Sequence, residues 1–212
     1  MSEPHAAAVL QRAAPSKTRR SEVYRHELKY RISYAEKAAL ELRLAPLLRR
    51  DAHAKPGGYR IRSLYFDDWW NSAYGEKEAG VFLRKKYRIR IYDGSDAVIK
   101  LERKKKVGSY IYKEDAALTR EETERILRGD YGVLLASPQN LCREFYVECV
   151  SHVLRPRVLV DYEREAWVLD EGTVRITFDQ NVRAAVGGWD LFDPKLPTLP
   201  VLYPGTLVLE VK

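Results

Sequence analysis

Charged and apolar residues alternate along much of this chain, and most of the charges are positive. In Leu83–Tyr92, Arg84, Lys86, Arg88, Arg90 and Tyr92 fall on one side, and Tyr87, Ile89 and Ile91 on the other. In Val98–Lys106, Lys100, Glu102, Lys104 and Lys106 share a side. A period of two is that of a β-strand, whose successive side chains point to opposite faces. Rows of like charge on paired strands repel. A sheet built this way calls for a multivalent anion to neutralise the rows.

The same reading extends along the chain. Val23–Ile32 reads as a strand with Arg25, Glu27 and Lys29 on one face. Ser33 and Glu36 have the spacing of a capping box and open a helix to about Leu48, with Leu40, Leu44, Leu47 and Leu48 at helical intervals. Lys55–Gly58 reads as a turn before a strand over Tyr59–Phe66. Asp67–Asn71 begins an irregular or helical excursion, in which Trp69 and Trp70 read either as an exposed anchor to a membrane partner or, the favoured role, as core or lid packing. Strands follow at Val81–Tyr92 and Ala97–Lys106, joined by the hairpin signal Asp93-Gly94, and at Ser109–Ala117. Thr119 and Glu122 open a second helix that stops at Gly129, and Ser137-Pro138 starts a third over Gln139–Leu154. Strands return at Arg157–Trp167, turn at Asp170–Gly172, and continue at Val174–Val182. A proline-rich connection, Asp193–Pro204, leads to a last strand, Leu207–Lys212. About eight strands joined mostly by short turns predict an α+β fold: an eight-stranded antiparallel β-barrel flanked by helices.

The chain has 212 residues, 45% hydrophobic and 32% charged, which suits one domain with a substantial core. Residues 1–21 are alanine-rich, basic and aperiodic and are expected to be a disordered tail; residues 22–212 form the domain. A net charge of +7 indicates an acidic partner without choosing among nucleic acid, an anionic membrane and a phosphate-rich small molecule. Cys142 and Cys149 stand two helical turns apart, about 10 Å, too far for a disulfide, and read as buried thiols of a reducing compartment. His5, His26, His53 and His152 have no ligand spacing, and no Cys/His cluster suggests zinc. The first twenty residues lack a long apolar core, so no signal peptide is expected, and the sequence has no run of about 18 apolar residues.

Collected by parity, the cations of most strands share an interior-type face: Arg25 and Lys29, Arg88 and Arg90, Lys104, Lys113, Arg164, Arg175 and Lys212. Glu27, Glu102 and Glu210 accompany them. One such strand is ordinary polar-out alternation; most of the strands together, with mostly one sign, indicate a basic lumen dotted with acids. Such a lumen suits a polyphosphate chain with a divalent metal, because Arg and Lys bind phosphate oxygens and carboxylates hold Mg²⁺ or Mn²⁺. Taken singly, the three glutamates read more readily as ion-pair partners than as metal ligands.

Seven segments carry a resemblance. They are Arg25–Tyr30, Arg62–Asp67, Tyr87–Tyr92, Leu101–Lys104, Val160–Arg164, Val174–Asp179 and Leu209–Lys212. Their order resembles that of the VTC domain, the polyphosphate polymerase domain of the vacuolar transporter chaperone complex, one of the triphosphate tunnel metalloenzymes that include the CYTH proteins. The resemblance runs from about Arg25 to the end. It implies an eight-stranded tunnel in which Lys29, Arg88, Arg90, Lys104, Lys113, Arg164 and Arg175 hold phosphates. It further implies Glu210 as metal ligand, with Glu102 or Glu27 as additional ligands, and Lys212 as a phosphate contact beside it. Lys106 stands where eukaryotic members carry histidine. The family continues past Glu210-Val211-Lys212 into a helical region expected to be missing from this length of chain. The SPX domain and transmembrane helices of the eukaryotic complex are absent from it, so inositol-phosphate control through such a domain is not expected.

The function implied is transfer of the ATP γ-phosphate to a growing polyphosphate chain with Mn²⁺ or Mg²⁺. Arg88, Arg90, Lys104, Arg164 and Arg175 would carry catalysis by positioning and neutralising charge. The implied partners are ATP, triphosphate, polyphosphate and a membrane protein that exports the product, with a cytoplasmic location at the inner face of a membrane. Hydrolysis of inorganic or nucleoside triphosphate in the same tunnel is the alternative, and Glu27 beside Lys29 gives it footing. A third reading is a non-catalytic polyphosphate or nucleic-acid binder, in which Tyr87, Tyr92, Tyr110 and Tyr112 stack bases. Packing is the favoured role of those tyrosines, and no specific nucleic acid is expected.

Overall fold

A computed structural model describes residues 24–51, 57–169 and 174–212. The tail, His5, His53, Lys55, Pro56 and the turn at Asp170–Gly172 lie outside the described residues. In chain order the elements are β1 (Leu28–Ser33), α1 (Tyr34–Leu44), β2 (Arg49–Arg50), β3 (Tyr59–Asp67), α2 (Ser72–Glu78), β4 (Leu83–Tyr92), β5 (Ser95–Val107), β6 (Tyr110–Leu118), α3 (Arg120–Leu127), a 3₁₀ turn (Tyr131–Ala136), α4 (Asn140–Ser151), β7 (Arg155–Leu169), β8 (Val174–Ala185), β9 (Thr198–Pro200) and β10 (Thr206–Val211).

Local signals placed several of these boundaries. In both capping boxes the hydroxyl accepts from the backbone of the glutamate three residues on, and that glutamate accepts from the cap backbone: Ser33 with Glu36, Thr119 with Glu122. Asp93 and Gly94 both take positive φ, 51° and 70°, the twist a two-residue hairpin between β4 and β5 requires. Other boundaries moved. α1 ends at Leu44, leaving Leu47 exposed and Leu48 buried beyond the helix. α4 begins at Asn140, after Pro138.

One antiparallel sheet runs in the order β1-β10-β8-β7-β3-β4-β5-β6, with β2 on β7 and β9 on β8. It differs from the expected eight-stranded closed barrel in two ways. Among the described residues there are ten strands, because the short strands β2 and β9 add edges that no hydrophobic period announces. The ladder is also not closed. Between its two ends, β1 and β6, runs one bridge: Arg25 N donates to Ile111 O at 3.0 Å, and Ile111 N to Arg25 O at 2.9 Å. The segment ahead of β1 thus curls toward β6 without a continuous seam.

The apolar face of the sheet points outward and is covered. α3, the 3₁₀ turn and α4 lay Ile126, Leu134, Leu141 and Phe145 over Leu64, Tyr87, Ile89 and Leu101. Phe145 sits edge-on to Phe66 and beside Tyr87, with centroids 5.0 and 5.1 Å away. Leu40 and Leu44 of α1 join Leu48, Trp167, Phe178 and Leu207 in a second cluster. Arg62, 2% exposed, ties the 190–196 segment to the sheet through a bidentate pair with Asp161 and bonds to the carbonyls of Leu191 and Asp193. Cys142 and Cys149 are both free and buried within α4. With the outer face committed to apolar packing, the alternate residues turn inward.

Candidate functional site

Two adjoining cavities, of about 380 and 490 Å³, run along the inner face and share Glu27, Lys29, Tyr65, Arg88, Lys104 and Ile111 in their walls. Every site residue named from the sequence lines one or both. Lys29 comes from β1, Glu27 from just before it, Arg88 and Arg90 from β4, Glu102 and Lys104 from β5, and Lys113 from β6. Arg164 comes from β7, Arg175 from β8, Glu210 from the end of β10 and Lys212 just beyond it. The first cavity is lined by nine Lys and Arg side chains against three carboxylates, so its wall is net positive.

The carboxylates organise the cations into three groups. Glu102, 1% exposed, accepts from Arg88 Nε at 2.6 Å and Lys113 Nζ at 2.5 Å, and lies 3.7 Å from Arg90. Burial pulls its carboxyl upward, but Arg88, then Arg90 and Lys113, overcome this and hold it at about 2. Glu27 accepts from Lys104 at 2.5 Å. Glu210 pairs with Lys212, with Lys29 at 3.0 Å and with Arg164 at 3.6 Å. Burial would raise its carboxyl; Lys212, Lys29 and Arg164 together keep it well below the usual carboxylate range. Lys212 is itself pushed down to about 8 by burial, against the pull of Glu210.

Several lumen residues escaped the sequence reading. Tyr65 OH accepts from Arg88 Nη1 at 2.8 Å, Tyr162 OH from Arg90 Nη2 at 2.9 Å, and Tyr59 OH from Arg175 Nη2 at 3.2 Å. Ser63 Oγ accepts from Arg90 Nε at 3.1 Å. Asp179 forks with Arg164 at 2.6 and 2.7 Å, and Asp51 pairs with Arg175 at 2.7 Å. These contacts fix four guanidinium forks along the lumen, a geometry suited to planar oxyanions. The signal was available: Tyr59, Ser63 and Tyr65 share one parity on β3, Tyr162 that of Arg164, and Asp179 that of Arg175. Gly58 packs against this frame. A Cβ there would stand 2.4 Å from the Arg164 carbonyl oxygen, and its φ of +91° favours glycine.

The aromatic residues sort differently from a base-stacking platform. Tyr87 is buried against Phe145, Tyr112 rests on Tyr24, His26 rests on Tyr110, and Tyr92 lines the first cavity. Trp69 and Trp70 are neither core nor lid packing: they are 77% and 81% exposed.

Comparison with known families matches the VTC domain model over residues 24–212. The chain belongs to the VTC domain family. No curated protein matches this VTC domain significantly. A solved candidate adenylate cyclase from Bacillus halodurans shares its fold, with 12% identity, a TM-score of 0.52, and coverage of 87% of this chain and 78% of the other. Also similar are a candidate adenylyl cyclase from Hippeastrum with a dominant triphosphatase activity (16%, TM-score 0.49, 87% and 77% covered) and one from Vibrio parahaemolyticus (8%, 0.46, 88% and 76%). Among the described residues of the VTC domain, no helix is long and apolar enough to cross a membrane.

The lumen's fit to a divalent cation can be judged from its donors. No group of three or more Asp, Glu, His or Cys converges among the described residues, so Glu102 stands apart from the other two candidates. Glu27 and Glu210 do converge: Lys29 Nζ lies 3.6 Å from one and 3.0 Å from the other. Two carboxylates this close offer hard-oxygen donors of the kind Mg²⁺ or Mn²⁺ takes alongside phosphate and water ligands, and here both are paired with Lys29.

Proposed function

We propose that this VTC domain transfers the γ-phosphoryl group of ATP to the end of an inorganic polyphosphate held in the lumen. A terminal phosphate oxygen attacks the γ-phosphorus, the bond to the β-bridging oxygen breaks, and ADP leaves with that oxygen. Arg88, Arg90, Arg164 and Arg175 grip phosphates with their forks; Lys29, Lys104, Lys113 and Lys212 act as point charges. Glu210 and Glu27 would hold Mn²⁺ or Mg²⁺, which when bound neutralises charge on the phosphate oxygens.

One observation favours transfer over hydrolysis. Glu27, Glu102 and Glu210 are all ion-paired and all displaced downward, Glu102 to about 2. Carboxylates so disposed are weak bases for activating water. A terminal phosphate is already an anionic nucleophile and needs none.

The test is purified protein with ATP and Mn²⁺, its product resolved on a gel stained for polyphosphate, beside Glu210→Ala. A ladder that disappears in the variant supports the reading. Free phosphate without a ladder replaces it with triphosphate hydrolysis in the same lumen.

A further inference from the structure

The connection from β3 to β4 has no part in the lumen chemistry above, yet among the described residues it is a conspicuously exposed apolar stretch. Trp69 and Trp70 precede α2, Tyr74 lies on it, and Phe82 and Leu83 follow; each is well over half exposed. These residues occupy one end of the sheet. Phe66, near the end of β3, pairs with Tyr87, and Leu83 opens β4 opposite Val107. The second cavity opens at this end, where Lys77 of α2 meets Arg84, Lys86 and Lys106 in its wall. Among the described residues no carboxylate stands at ion-pair distance from Arg84, Lys86 or Lys106, although Asp67 draws on the Lys86 ammonium from farther off. Lys86 is held below the usual ammonium value by burial first, and by repulsion from Lys77 and Arg84. The cavity wall at this end is therefore basic, although Glu78 offsets Lys77 at 2.5 Å, Glu148 offsets Lys85, and Asp67, Asp68 and Glu76 lie beside it.

We propose that this end of the sheet docks on an anionic lipid surface, with Trp69 and Trp70 entering the headgroup boundary and the cations of the neighbouring cavity wall meeting lipid phosphates. Tryptophan suits that depth because its ring is apolar and its N–H seeks a polar partner. Lysine around aromatic residues favours lipid over a protein partner, because lysine is depleted in protein interfaces while a basic rim gains from anionic headgroups. The cation-lined mouth of the second cavity then faces the membrane.

Sedimentation with vesicles tests this on the full chain. Phosphatidylcholine vesicles doped with phosphatidylglycerol should carry the protein down, undoped vesicles should not, and added salt should weaken binding. The double variant Trp69→Ser/Trp70→Ser should partition about tenfold more weakly or worse, while Leu199→Ser, an exposed apolar site on β9, should bind as the parent does. An unchanged thermal shift with tripolyphosphate shows that the double variant is folded. Quenching of the parent's tryptophan emission by brominated lipid reports insertion with no substitution at all. No sedimentation with anionic vesicles would overturn the proposal and turn attention to a protein partner. Full binding by the folded double variant, or unquenched emission, would overturn it as well.

Discussion

Glu102→Gln removes one charge and leaves the shape of the side chain nearly intact, so it isolates what that carboxylate does. In the folded chain it stands among Arg88, Arg90 and Lys113 with 1% exposure. Its displacement from an ordinary 4.5 to about 2 corresponds to roughly 3 kcal/mol of favourable interaction. Three cations left facing one another make that a floor, since breaking a buried pair commonly costs about 3–5 kcal/mol. For a chain of this size the melting temperature should fall by about 6–12 °C near neutral pH. The folded-state value is the lower one, so the stabilisation is present above about pH 4.5 and disappears as pH falls toward 2. Calorimetry of both proteins across that range should therefore show curves that converge in acid. Tripolyphosphate should raise the variant's melting temperature more than the parent's, because phosphate oxygens can take the place of the missing carboxylate. Equal melting temperatures near pH 7, or a gap that persists unchanged at pH 3, would refute the reasoning.

Arg90→Ala should abolish tripolyphosphate binding by titration calorimetry, because Arg90 is held by Ser63 and Tyr162 with its charge turned to the lumen; unchanged affinity would sink the lumen as the phosphate site. Tripolyphosphate affinity should fall above about pH 8 as Lys212 loses its proton, by up to about tenfold per pH unit. Lys212→Arg, charged throughout, should remove that break in the profile. Phe145→Ala should cost about 3–5 kcal/mol in urea unfolding, because the ring is fully buried between Phe66 and Tyr87.

Much of the lumen was legible because a strand's alternation is a local property. Once Leu83–Tyr92 is extended, Arg84, Lys86, Arg88 and Arg90 must share a face whatever the strand pairs with, and Tyr87, Ile89 and Ile91 must take the other. The capping boxes and the Asp93-Gly94 turn are equally local, each closed by hydrogen bonds or φ values within a few residues. Trp69 and Trp70 were misjudged because composition favours burying tryptophan, whereas α2 is short and leaves the preceding loop projecting.

By itself, then, the chain determined which residues lie on a common face and that the face is strongly basic, because side-chain direction follows from backbone geometry one residue at a time. Only the tertiary structure decided who meets whom. β3 lies between β7 and β4, which brings Tyr162 and Ser63 to Arg90, and Tyr65 to Arg88. β1 lies beside β10, which sets Lys29 opposite Glu210 and so next to Glu27. Strand order and register depend on contacts between residues far apart in sequence, and no local period encodes them. That is why the cations could be named in advance, while the carboxylate each one pairs with, and the bridge from Arg25, ahead of β1, to Ile111 of β6, could not.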